Sequence, residues 1–219
     1  MTVSFEKHGE GPAIVFLHGV GSGKEGWKHQ IDCVVDAGWK FITIDAPGFG
    51  QTSLPETPGF APHVRAVIET MDETKVDRAV ICGHSLGGMA ILYNLYKYKS
   101  ENKAVKKIVT LGSPSELSDF MRQYKSILGL SNRMMRLLEN YFIKTFEFKF
   151  ADFSSSKFVK EITKKGLLIH DELDTVAPYW SSQQVHANWQ NSKLVTTKGL
   201  GHSLHQDKVR NQIVDFLKS

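Results

Sequence analysis

Short apolar runs recur along the chain, rich in β-branched residues and nearly continuous instead of alternating. They are "AIVFLH" (13–18), "KFITID" (40–45), "AVICGH" (79–84), "KKIVTL" (106–111), "GLLIH" (166–170) and "SKLVTT" (192–197). A strand covered on both faces reads this way. "TVSFEK" (2–7) alternates apolar and polar positions and predicts an edge strand. Between the runs lie amphipathic patterns of helical period. Trp27, Ile31, Val34 and Val35 share a face that ends at Gly38, and Val64, Val67, Ile68 and Met71 share another. Further helices are predicted over 87–98, over 180–189 after Pro178, and along Val209, Ile213, Phe216 and Leu217. Strand and helix alternate almost throughout, which predicts an α/β class with a mostly parallel sheet.

One stretch departs from the rhythm. Residues 113–157 hold no strand run; "ELSDFMRQYKSIL" and "SNRMMRLLENYFIKTFEFKF" read as two or three short helices between two strands. With no repeat and no flexible linker, residues 1–219 are expected to form a single domain with 113–157 as a helical cap insertion.

Composition changes this picture little. Apolar content of 41% and charged content of 23% are ordinary for a globular protein. A net charge of +4 is mild, and its local concentration at Tyr96–Lys107 reads as a solvated helix end and loop. No basic motif with interleaved aromatics supports nucleic-acid binding. Cys33 and Cys82 sit in apolar contexts outside any metal-ligand spacing, so two free thiols are expected. The N-terminus lacks the apolar core of a signal peptide, and no run reaches the roughly 20 residues that span a bilayer. A cytoplasmic location is the default expectation.

The candidate chemistry begins at "VICGHSLGGMA" (80–90), where Ser85 stands between Gly83 and Gly87, after a strand and before a helix. A strand-to-helix turn that tight strains its central residue and leaves no room for side chains two positions away on either side. It lifts the hydroxyl to a helix N-terminus, where developing negative charge is favoured. A phosphate-binding P-loop would need a Lys-Ser/Thr pair that is absent. A nucleophilic serine needs a base and an orienting acid. The loop after "GLLIH" offers Asp171, Glu172 and Asp174; the loop after "SKLVTT" offers His202 and His205. Asp174, farthest into its loop, is favoured as the acid, and Asp171 is expected to shape the turn. His202, just before the last helix, is favoured as the base over His205. An oxyanion needs donors: the Leu86 N–H follows the nucleophile, and the glycine-rich "FLHGVGSG" (16–23) makes the Val20 N–H the second candidate.

The succession "FLHGVGSG", "DAPGFGQT" (45–52), "GHSLGG" (83–88), "HDELDTVAP" (170–178) and "GLGHS" (199–203) resembles the motifs of the α/β-hydrolase fold superfamily, from about Ala13 to Phe216. The resemblance implies an eight-stranded or slightly reduced sheet, a site without cofactor or metal, a Ser85–Asp174–His202 triad, and Val20 and Leu86 as oxyanion donors. It implies a small-molecule ester or thioester as substrate. The same triad serves carbon–carbon hydrolases and cofactor-free haloperoxidases, and the scaffold also serves ligand receptors. Dehalogenases and epoxide hydrolases need an aspartate where Ser85 stands. Phe142, Phe146, Phe148, Phe150 and Phe153, with Met134 and Met135, make the 113–157 segment aromatic and soft. They are expected mainly to bury it against the sheet; the alternative is an acyl pocket. Trp180 and Trp189 are expected in the core or a groove.

Overall fold

A computed structural model describes residues 2–56, 61–100, 103–146 and 148–219, with the backbone alone at 61, 64 and 146. The predicted Val64 and Phe146 side-chain positions therefore lie outside the described residues. Seven strands form one sheet: β1 (Phe5–His8), β2 (Ala13–Leu17), β3 (Lys40–Ile44), β4 (Ala79–His84), β5 (Val105–Leu111), β6 (Lys165–Asp171) and β7 (Ser192–Thr197). Their order is β1-β3-β2-β4-β5-β6-β7. Among the described residues only β1, the alternating edge segment, runs antiparallel, pairing Phe5 with Ile44. The parallel ladders place Leu17 beside both Ile44 and Gly83, so the ends of β2, β3 and β4 finish level.

The near-continuous apolar runs are explained by two buried faces. Within β2, Ala13, Val15 and Leu17 join one core cluster, while Ile14 and Phe16 join the other. On the first face lie α2 (Ala61–Glu73), α3 (Leu86–Lys97) and α7 (Trp180–Asn188). On the second lie α1 (Ile31–Asp36) and α8 (Asp207–Lys218), through Val34, Val209, Ile213 and Leu217. The first half of the pattern Trp27–Val35 is a 3₁₀ turn, Lys24–Gln30, and only Ile31 onward is α-helical. Gly38, just past α1, has φ of +79°, as a left-handed helix terminator requires.

Between β5 and β6 run α4 (Leu117–Ile127), α5 (Asn132–Phe146) and the single turn α6 (Ser155–Phe158). Phe150, Phe153 and Phe158 form a third cluster with Met89 of α3, and Met135, Phe142 and Phe148 pack against it. Tyr93 of α3 stacks on Phe153 with ring centroids 5.0 Å apart. The aromatic residues thus bury this segment on the body of the protein. Met134, one position from Met135, instead faces outward at 48% exposure. The two tryptophans also part company. Trp189 is buried and donates to the Lys164 carbonyl at 3.0 Å, whereas Trp180 is 42% exposed at the first turn of α7. Cys33 and Cys82 are both free thiols.

Candidate active site

At the end of β4 the chain turns into α3 through Ser85, whose φ of 53° and ψ of −125° are backbone angles a non-glycine residue adopts only under constraint. The constraint is visible on both sides. A Cβ on Gly83 would lie 2.5 Å from the Gly88 nitrogen, and one on Gly87 would lie 2.6 Å from the carbonyl oxygens of both Leu17 and His18. These are backbone atoms of the first turn of α3 and of the end of β2, and cannot yield. The Ser85 N–H donates to the Leu111 carbonyl at 2.8 Å, which pins the turn to the neighbouring strand.

The loop after β2 is held by two buried polar residues. The His18 Nδ1–H donates to the Gly19 carbonyl at 2.7 Å, and its Nε2 accepts the Ala46 N–H at 2.9 Å, so the ring is a neutral imidazole in one tautomer. Asp45, fully buried, accepts from the Lys24 N–H and ammonium, each at 2.8 Å, and from the Gln51 N–H at 3.0 Å. Burial raises the Asp45 pKa, but the Lys24 and Gln51 hydrogen bonds outweigh it and hold the carboxyl below its ordinary value. This stitches the loops after β2 and β3 together. Among the described residues neither the Val20 nor the Leu86 N–H meets a hydrogen-bond acceptor, and both residues line one cavity.

Asp174 Oδ1 accepts the Val176 and Ala177 N–H groups at 2.8 and 2.9 Å, which aims Oδ2 at His202. His202 Nδ1 lies 2.7 Å from that oxygen and carries the proton, because a carboxylate can only accept. Burial raises the Asp174 pKa, but hydrogen bonds from His170, His202 and Ala177 prevail, and the group stays well below the usual carboxylate range. Asp171 does what its place at the strand end suggests. It accepts four hydrogen bonds, from the Leu173, Gly199 and Leu200 amides and the Thr197 hydroxyl, and so joins the acid-bearing and histidine-bearing loops.

Ser85 and His202 line the same cavity of about 330 Å³. Among the described residues no hydrogen bond joins the Ser85 hydroxyl to the His202 ring, so the contact needed for proton transfer is left open. Such contacts are commonly long without substrate and tighten when it binds. His205 lines this cavity too, but its ring sits 5.7 Å from that of His29 and, among the described residues, has no hydrogen bond to an acid.

Two histidines not singled out in the sequence complete the arrangement. His84, one residue before Ser85, donates its Nε2–H to the His202 carbonyl at 2.8 Å, tying the elbow to the histidine loop across 118 positions. Burial lowers its pKa to about 4 despite that bond. His170, fully buried at the end of β6, accepts from Ser182 at Nδ1 (2.6 Å) and donates from Nε2 to the Ala177 carbonyl (2.9 Å). The same Nε2 lies 3.3 Å from Asp174 Oδ2, so two imidazoles flank one carboxylate oxygen. No local signal marks His84, whose partner lies 118 positions away, and none shows that the His170 ring turns onto Asp174, four residues further along the same loop.

A second cavity of about 190 Å³ adjoins the first and is lined mostly by apolar side chains, among them Leu86, Ala90, Leu117, Met121 and Phe142. His18, Val20 and Phe120 line both.

A family profile described as the alpha/beta hydrolase fold matches residues 12–156, and one described as TAP-like protein matches residues 150–219. A 2-hydroxy-6-oxo-6-phenylhexa-2,4-dienoate hydrolase of Comamonas testosteroni is 35% identical over 102 residues, 44% of this chain and 35% of that enzyme. Across the first three curated relatives it matches, this chain spans 35–53% of their length. A bromoperoxidase from Bacillus anthracis superposes with a TM-score of 0.77 at 21% identity, covering 99% of this chain and 95% of that one. An esterase from Exiguobacterium antarcticum does so with a TM-score of 0.76 at 19% identity, covering 99% and 96%. At these identities the structural likeness establishes the shared fold.

Proposed function

Because the chain belongs to the alpha/beta hydrolase fold family, we propose that it is a serine hydrolase that cleaves a small carboxylic ester or thioester through Ser85, His202 and Asp174. The observation that carries this reading is the Asp174–His202 pair at 2.7 Å beside a cavity that also holds the strained Ser85. With Nδ1–H held by the carboxylate, Nε2 is the basic nitrogen of His202. It removes the Ser85 proton as the hydroxyl oxygen attacks the substrate carbonyl. The Asp174 carboxylate stabilises the imidazolium, and the Val20 and Leu86 N–H groups receive the oxyanion. His202 then protonates the leaving alcohol or thiol, and water repeats the sequence on the acyl-enzyme.

On this reading the 113–157 segment acts as a cap. Phe120 divides the two cavities, and the apolar one beside the Leu86 amide suits the acyl chain. A carbon–carbon hydrolase using the same three residues is the second reading, supported by the 35% identical dienoate hydrolase.

A fluorophosphonate probe should label the wild-type protein at Ser85, and Ser85→Ala should lower p-nitrophenyl acetate turnover by about 10³-fold or more. Equal turnover by the variant, or no labelling of the folded wild type, would end the proposal. Turnover of a dienoate but of no ester in a substrate panel would favour the second reading.

A further inference from the structure

The apolar side chains of α5 divide between two faces. Met135 and Phe142 point into the protein. Met134, Leu137, Leu138 and Tyr141, at spacings of three, four and seven, share an adjacent exposed face, with Leu137 and Tyr141 each 57% exposed. At the neighbouring end of α4, Ile127 and Leu128 are 66% and 58% exposed. The Lys125 ammonium bonds the Asn132 side chain at 2.6 Å, which holds the two helices together at the turn.

This face leads to the cavity. Phe120, Tyr124 and Ile127 form one stripe of α4; the first two line the cavity that holds Ser85, and the third stands outside it. The charge of the segment is one-sided as well. Residues 117–146 hold five Lys and Arg against two acids. Arg133 and Lys144, three turns apart and both exposed, line one edge of the apolar face of α5.

We propose that the exposed apolar face of α5 and the end of α4 dock on an anionic lipid surface. A helix with an outward apolar stripe and a basic flank lies in the headgroup region of a bilayer, its side chains among the acyl chains and its cations against the phosphates. A second copy of the chain is a poorer occupant, because a twofold contact would set the same cations against each other. Docking would place the α4 stripe as an apolar track from the lipid into the cavity, a route for amphiphilic molecules. The inference rests on the surface alone and survives if the hydrolytic reading fails.

The full chain should co-sediment with vesicles of 2:1 phosphatidylcholine and phosphatidylglycerol, and at least tenfold more weakly with phosphatidylcholine alone. R133Q/K144Q should weaken binding to the mixed vesicles roughly 25-fold, about fivefold per cation, and L137S/Y141S at least as much, with circular dichroism unchanged. The proposal is overturned if the folded wild type ignores the mixed vesicles, or if both variants bind as it does. It is also overturned if the wild type is a dimer that L137S/Y141S makes monomeric, or if the wild type binds poly-glutamate but not lipid. Loss of binding by R133Q/K144Q with ester turnover intact would separate docking from chemistry.

Discussion

Asp171 accepts four hydrogen bonds in a fully buried position, while Leu137 of α5 stands 57% exposed. The two residues typify two regions. At the carboxyl ends of the strands, Asp45, Asp171, Asp174, His18, His84 and His170 are each tied to backbone or side-chain partners, so the loops that carry the candidate catalytic groups are cross-linked to one another. In the α4–α5 segment the packing is aromatic and one-sided, and much of the outer surface is apolar. Polar cross-links specify position closely, because a misplaced buried donor or acceptor costs about 1–3 kcal/mol. Aromatic contact on one face tolerates shifts and substitutions. On the proposed reading, the cross-linked region suits chemistry, which needs sub-ångström placement, and the one-sided aromatic region suits selection of what enters.

This contrast is open to attack, most forcefully at the rigid end. Asp174→Asn keeps the shape but leaves the Nδ1–H of His202 facing a side chain that can rotate to offer a donor, favouring the wrong tautomer. A fall in kcat on the order of 10⁴-fold is expected, with the melting temperature only modestly lower. A loss below tenfold in steady-state kinetics would show that the acid lies elsewhere.

A smaller effect comes from His84. Its pKa of about 4 in the folded protein lies below its ordinary value. Between pH 6.5 and 4 the unfolded chain therefore binds a proton that the folded one refuses. Stability falls as pH is lowered through that window, by about 1–3 kcal/mol from this group. Urea unfolding at several pH values should show the fall, and His84→Gln should flatten it. The smallest effect is expected in the soft region: Leu137→Ser should change unfolding free energy by no more than about 0.5 kcal/mol, measured the same way. A loss of several kcal/mol would mean that α5 is as firmly built in as the strand ends.

Legibility in the sequence followed the same divide. The strands and the class could be read because burial on both faces leaves runs such as "AIVFL" with no polar gap. The elbow could be read because steric demand is local: Gly83 and Gly87 crowd atoms within a few residues or on the adjacent strand. The preference for Asp174 over Asp171 rested on loop position; in the structure Asp174 faces the His202 ring and Asp171 accepts from the amides and hydroxyl that join the two loops. His84 and His170 were not legible. The partner of His84, the His202 carbonyl, reaches it through tertiary packing, and that of His170, the Asp174 carboxylate four residues on, meets it through a loop conformation that no residue pattern marks. Nor could the pattern tell Met134 from Met135, since neighbouring helix positions point about 100° apart and which one faces inward depends on the surface beneath.

The backbone angles of Ser85 carry one more implication. Glycine would occupy φ of 53° and ψ of −125° with far less strain. Ser85→Gly would therefore relax the turn while removing the hydroxyl on which the proposed chemistry depends, so durability and turnover would move in opposite directions at this one position.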